Sequence, residues 1–182
     1  TNWNPANPTL HVLDAETLTE KYSLGFPDGI GAMPHGLAVS ADGSTVYVTC
    51  EEGNSVFKIA VGETAEDARL TYIPVAAPGE PENEIEPYQI VIDPSGRTAY
   101  VTCFESGEVR VIDTELEQMI QVIPVGGEPF LEALTPDGRY LYVCNWEESE
   151  VNVIDTSTRQ VVANVTNSGL GSPVFARTHV PS

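Results

Sequence analysis

The residues in this sequence best suited to chemistry are carboxylates set beside aromatic rings. Glu51-Glu52, Glu105 and Glu147-Glu148 fall at equivalent points of a repeated pattern. Phe104 and Trp146 stand directly before the second and third of these, with Trp3 at the same point near the start of the chain. Asp28, Glu80, Glu82, Glu84, Glu86 and Glu128 lie in neighbouring connections, with Glu108 and Glu150 at their edges, and no Lys or Arg falls among them. Rings with carboxylates hold cations or sugars, and clustered carboxylate oxygens suit a hard divalent cation. The plainer reading is a soluble acidic surface whose rings pack between repeats. The residues alone allow both.

His35 and the cysteines form a second set. Counting back from the Asp42-Gly43 turn pairs His35 with Cys50 across a hairpin, as it pairs Tyr88 with Cys103 and Phe130 with Asn145. A His beside a Cys can bind a soft metal, so His35 and Cys50 are the metal candidates. Two ligands do not complete a site, and a hydrogen-bonded structural histidine fits the pattern as well. Cys50 and Cys103 occupy equivalent positions in adjacent sheets. Such sheets pack about 10 Å apart, beyond the roughly 7 Å between Cα atoms that a disulfide tolerates. Cys144 falls one residue earlier in its strand and points to the other face. All three are expected to be free thiols in small apolar sites.

No catalytic motif is present: there is no GxSxG, HExxH, phosphate loop or CxxCH, and no cofactor is evident. A formal net charge of −19, with only eight Lys and Arg, excludes a nucleic-acid partner, since affinity for phosphate backbones comes from basic side chains. No apolar run approaches the roughly 20 residues of a membrane-spanning helix.

These residues are positioned by a repeat of four strands. Pro34–Gly43 with Val46–Cys50, Pro87–Gly96 with Ala99–Cys103, and Pro129–Gly138 with Leu141–Asn145 can be laid over one another. The Asp-Gly and Ser-Gly pairs mark a tight turn between the first two strands. Val56–Val61, Val109–Ile112 and Val151–Ile154 read as third strands, and Leu70–Val75, Met119–Val125 and Gln160–Val165 as fourth strands. Four antiparallel strands recurring every ~42 residues without intervening helices are the pattern of β-propeller blades, in an all-β fold. The His35, Tyr88 and Phe130 pairs then lie near the mouth of the central channel, on the same face as the acidic loops. Thr1–Trp3 aligns with Cys144–Trp146, and Pro173–Val180 reads as another first strand. The expected division is 1–33 for the last two strands of a partial blade and a linker, 34–86, 87–128 and 129–172 for whole blades, and 173–182 for the first strand of a further blade. A seven- or eight-bladed ring completed by the rest of the propeller or another chain is expected, with a closed four-bladed ring as the lesser alternative.

Tyr47–Cys50, Tyr100–Cys103 and Tyr142–Asn145, together with Val109–Thr114 and Val151–Thr156, give the chain its family likeness. It resembles the YVTN-repeat propellers, departing from them in having Cys at 50 and 103 where Asn is usual. The resemblance implies an exported protein, periplasmic or extracellular. The functional expectation is a noncatalytic binding or scaffold propeller whose acidic loop face, with Glu51, Glu52, Glu105, Glu147, Glu148, Phe104 and Trp146, takes a basic protein, a cation or a glycan. The alternative is a propeller subunit or domain of a redox enzyme whose cofactor lies elsewhere in the assembly.

Overall fold

A computed structural model describes residues 8–27, 33–77, 79–81 and 85–166. Trp3, Asp28, Glu82, Glu84 and the expected strand Pro173–Val180 lie outside these residues. The described residues form fourteen strands and no helix. β1 (Thr9–Leu13) and β2 (Glu20–Gly25) pair as a two-stranded sheet. Three four-stranded antiparallel meanders follow. The first blade is β3 (Pro34–Val39), β4 (Thr45–Cys50), β5 (Ser55–Ala60) and β6 (Arg69–Pro74). The second is β7 (Pro87–Ile92), β8 (Thr98–Cys103), β9 (Glu108–Asp113) and β10 (Gln118–Pro124). The third is β11 (Pro129–Leu134), β12 (Tyr140–Asn145), β13 (Glu150–Asp155) and β14 (Gln160–Thr166).

The recurring turn residues have local duties. Asp93 and Asp137 accept backbone N–H groups of the first hairpin turn at Arg97 and Arg139, as Asp42 does from Ser44. Asp14, Asp113 and Asp155 do the same in the turn between third and fourth strands. The threonine after that Asp ties the two turns together: Thr114 and Thr156 donate to the carbonyls of Gly96 and Gly138. These are Asx-type turns, in which a short acid substitutes for a backbone acceptor.

Strand alternation sends successive side chains to opposite faces of a blade, and among the described residues three seams bury these faces against neighbours. Val48, Cys50, Phe57 and Ile59 pack on Leu10, Leu24 and Phe26 of the two-stranded sheet. Tyr47, Val56 and Ile73 meet Ile90, Val101, Cys103 and Ile112 between the first and second blades. Tyr100, Val109 and Val111 meet Leu141, Val143 and Ile154 between the second and third. The first strands approach most closely. A Cβ on Gly36 would lie 2.5 Å from the Tyr88 carbonyl oxygen, so only glycine fits there.

The register corrects the sequence-based pairing. Cys50 pairs with Pro34, Cys103 with Pro87 and Asn145 with Pro129; His35, Tyr88 and Phe130 do not pair with them. Each first strand carries a bulge at that point, which counting from the turn cannot reveal. In two blades the threonine of the second strand satisfies the bulged backbone: the amides of Gly36 and Gln89 donate to the hydroxyls of Thr49 and Thr102 at 2.7 and 3.1 Å.

One buried group breaks the apolar pattern. Glu132 on β11 occupies the position of Leu37 and Ile90, and both its carboxylate oxygens are sealed from solvent without a hydrogen-bond partner. Burial pushes its carboxyl well above the usual range.

All three thiols are free, and burial pushes the Cys50 thiol up to about 12 and raises Cys103 as well. In the native chain Cys144, which is only half-buried, is expected to react first with a thiol reagent, and all three are expected to titrate after unreduced denaturation. Fewer than three in the denatured chain would contradict the packing. For Glu132, the folded-state pKa lies above the unfolded value. The group therefore favours folding at low pH, and that contribution is lost as pH rises from the unfolded toward the folded pKa. Glu132→Gln is expected to be the more stable chain at pH 8, with a smaller advantage at pH 5. The gap grows by about 1.4 kcal/mol per pH unit within that window. Urea midpoints at the two pH values measure it, and a pH-independent gap would refute it.

Candidate functional site

The bulges create the site. By adding a residue to each first strand they re-aim His35, Tyr88 and Phe130, and the three rings stack in a row across successive blades. Ring centroids are 3.7 Å apart for His35–Tyr88 and 4.5 Å for Tyr88–Phe130. The residue just past each second strand inserts beside this row, held by one recurring hydrogen bond. The amides of Glu51, Phe104 and Trp146 donate to the carbonyls of Met33, Glu86 and Glu128. Phe104 thereby lies 5.9 Å from Tyr88 and 6.2 Å from Phe130, and Trp146 lies 5.7 Å from Phe130. Trp146 is 51% exposed, and the rings of Tyr88, Phe104 and Phe130 are half-buried.

Glu51 is the acidic member of this series. Its carboxylate lies 3.8 Å from His35 Nε2, an ion-pair distance too long for a hydrogen bond. Burial lowers the His35 pKa, so the imidazole is neutral at physiological pH. Burial first, then the charges of Glu86 and Glu52, raises Glu51. Burial, then Glu105 and Glu52, raises Glu86. The structure thus joins Glu51, Glu52 and Glu105 to Glu86 in one like-charged group. Glu147 and Glu148 form a second group with Glu150: desolvation first, then the charges of Glu150 and Glu147, raises Glu148. The Glu148 side chain lies over Gly126 and Gly127, both at positive φ, where a Cβ would come within 3.2–3.4 Å of it.

The metal candidates His35 and Cys50 are not brought together. The His35 ring lies on Tyr88 of the second blade, whereas Cys50 is fully buried on the opposite blade face with Leu10 and Val48. Among the described residues no group of three or more His, Cys, Asp or Glu is arranged to hold a metal ion.

Sequence reasoning missed Arg110. This strand residue, fully buried, reaches up into the acidic connections. It makes a two-pronged bond to Glu80 at 2.7 and 2.8 Å, a third to Glu108 at 2.6 Å, and a fourth to the Val75 carbonyl at 2.8 Å. Arg110 holds the Glu80 carboxyl down at about 2. Two carboxylates of the acidic face therefore share one buried cation, which offsets one of their two charges. An Arg between Val109 and Val111 on an inward-facing strand was the available signal.

The family model described as "Lactonase, 7-bladed beta-propeller" matches residues 9–177. No curated protein sequence matches. Among solved structures, the chain is similar to Kuenenia stuttgartiensis hydrazine synthase, with 28% identity and a TM-score of 0.64, covering 74% of this chain and 36% of that one. A Lactobacillus plantarum protein gives 16% identity and a TM-score of 0.72, covering 87% and 48%. A Bacteroides uniformis protein assigned as a 6-phosphogluconolactonase gives 19% and 0.59, covering 72% and 40%. The latter two show the fold alone. The chain spans about a third to a half of the length of these structures.

Arg110→Ala is expected to destabilise the chain, because it leaves the Val75 carbonyl and two carboxylates without their cation. The part-exposed carboxylates place the loss at the lower end of the ~3–5 kcal/mol typical of a broken buried pair. Glu108→Gln, which keeps the two-pronged bond to Glu80, is expected to cost less. Urea midpoints of the two variants decide it, and equal losses would show that Glu80 is not the principal partner.

Proposed function

The chain belongs to the lactonase family of seven-bladed β-propellers, and on that premise we propose that it is a noncatalytic, exported binding module of a larger propeller. Its acidic, ring-lined loop face engages a basic protein partner. The observation that carries the reading is the cluster of Glu51, Glu52, Glu86 and Glu105, in which Glu51 and Glu86 are raised by burial and by one another's neighbours. A cluster of carboxylates that destabilise one another's charged forms is stabilised by an incoming cation. Arg110 reaches this face but is occupied by Glu80 and Glu108. The same field opposes a phosphorylated or otherwise anionic substrate, which argues against sugar-phosphate chemistry at this face. The YVTN-type repeat supports export to the periplasm or the cell exterior, and a divalent cation or a glycan is the remaining class of ligand.

The likeness to a hydrazine synthase chain favours a second reading, a propeller subunit or domain of a redox assembly. A haem or quinone absorption band in the purified assembly would support that reading over the first.

Replacing Glu51, Glu52, Glu105, Glu147 and Glu148 together with Gln is expected to weaken binding of a basic protein about tenfold or more at low salt. Each exposed charge contributes ~0.2–1 kcal/mol, and steering adds to the on-rate. The wild-type affinity is expected to fall steeply as salt is raised. Affinity indifferent both to the substitutions and to salt would leave the charge as a solubility device.

A further inference from the structure

On the face opposite the acidic loops, where the turns of the first and second blades meet, lies a recess of about 420 Å³. Ala41, Tyr47, Lys58, Pro94, Gly96 and Thr114 are among the residues that line it. The neighbouring seam shows what this one lacks. Ala41 stands where the later repeats have Pro94 and Pro136, and Gly96 stands where the third blade has Gly138. Between the second and third blades the Pro94 ring lies against Gly138, so closely that a Cβ there would fall 2.8 Å from Pro94 Cδ. A Cβ on Gly96, whose φ of 76° matches the 73° of Gly138, would meet nothing within 4 Å. The first seam therefore lacks the pyrrolidine ring that fills the second. It holds a cation instead. Lys58 pairs with Tyr47 across the strands, where Val111 pairs with Tyr100 and Val153 with Tyr142. Its ammonium donates to the Thr114 carbonyl at 2.9 Å and to Glu117 at 2.8 Å, which uses two of its three N–H groups.

We propose that this recess takes a proline carried by a partner polypeptide, its ring against Gly96 and a neighbouring carbonyl on the third N–H of Lys58. The face is separate from the acidic mouth, and the proposal is independent of the basic-partner reading. Three features select this occupant. The slot is the one that Pro94 fills in the next seam, so its shape suits a pyrrolidine ring. A proline brings no N–H that the recess must satisfy, and proline-rich segments hold their carbonyls free of internal hydrogen bonds, which leaves an acceptor for Lys58. The occupant is also uncharged. Asp42 and Glu115 on the recess wall oppose an anion, and Lys58 opposes a cation. Such a segment is already extended before it binds, so docking orders little backbone.

The test titrates the full chain with a blocked oligoproline peptide and a blocked Gly-Ser peptide of equal length, followed by backbone amide resonances. The wild type is expected to bind oligoproline about tenfold more tightly, the scale set by burying part of a ring. Shifts are expected in the turns around Ala41 and Gly96. Ala41→Pro supplies the missing ring from within and is expected to erase the preference. It should fold, because Pro94 and Pro136 hold the same turn position. Lys58→Met keeps the stem but removes the donors, and is expected to weaken oligoproline about three- to tenfold. Circular dichroism confirms folding, and if Ala41→Pro does not fold, Lys58→Met carries the test. Equal wild-type affinities, no binding of either peptide, or a preference unchanged in the folded variants would overturn the proposal. Shifts centred on Phe104 and Trp146 would assign the peptide to the ring row and overturn it as well.

Discussion

Each of two blade seams carries a backbone carbonyl that packing takes out of water and that therefore requires a donor. It belongs to the residue that follows the outermost strand, where the chain turns back toward the channel. The third blade meets the carbonyl of Val125 with the Asn145 side chain, itself bonded to Asn152. The second blade has Cys103 at the Asn145 position, and Arg110, at the position of Asn152, meets the equivalent Val75 carbonyl instead. In the first blade the same pair of positions is Cys50 and Phe57, and Phe57 packs edge-on against Phe26 at 5.3 Å. The cysteines that depart from the repeat are thus halves of two-residue exchanges. A small thiol makes room, and the partner position decides whether the seam is closed by a guanidinium or by an aromatic ring.

That choice shapes the loop face. A neutral amide pair can hold a carbonyl but has no charge to offer. Arg110 brings one, and burial makes it costly unless carboxylates meet it. Glu80 and Glu108 do so, drawing the connection that follows β6 down onto the second blade. The same connection then leads through Ile85, buried in the seam, to Glu86 beside the ring row. Core packing and the acidic mouth are consequently parts of one structure.

Much of this was legible in the sequence because it is repeated. Three copies of the Tyr-Val strand, each after an Asp-Gly or Ser-Gly turn, and two of the Val-Ile-Asp-Thr strand set the strand order, and the strand limits fall within one or two residues of expectation. Position within a repeat also identified Phe104, Trp146 and the neighbouring acids as members of one face. The bulge was not legible, since the Thr49 and Thr102 hydroxyls that satisfy it read as ordinary strand residues. Arg110 and Glu132 escaped for a related reason. Each stands where another blade has an aromatic, an amide or an aliphatic residue, so alignment of the repeats gave those positions no charge to expect.

The two buried charges meet different fates because their surroundings differ. Arg110 has four bonds from three partners, which keeps it charged even though one nitrogen, Nε, is left without an acceptor. Glu132 has no cation, and its cheapest state is the neutral acid. Arg110 also localises the field of the loop face. By pairing with Glu80 and Glu108 it offsets one of their two charges and leaves Glu51, Glu52, Glu86 and Glu105 as the larger like-charged group next to the rings. With a Debye length of about 8 Å at physiological salt, charges on distant blades add little to that group. Its potential is set by neighbouring loops, and those loops are placed by the bulges and seams of the first and second blades. The electrostatic character of the mouth is therefore a property of adjacent blades, built by the same two seams that hold them together.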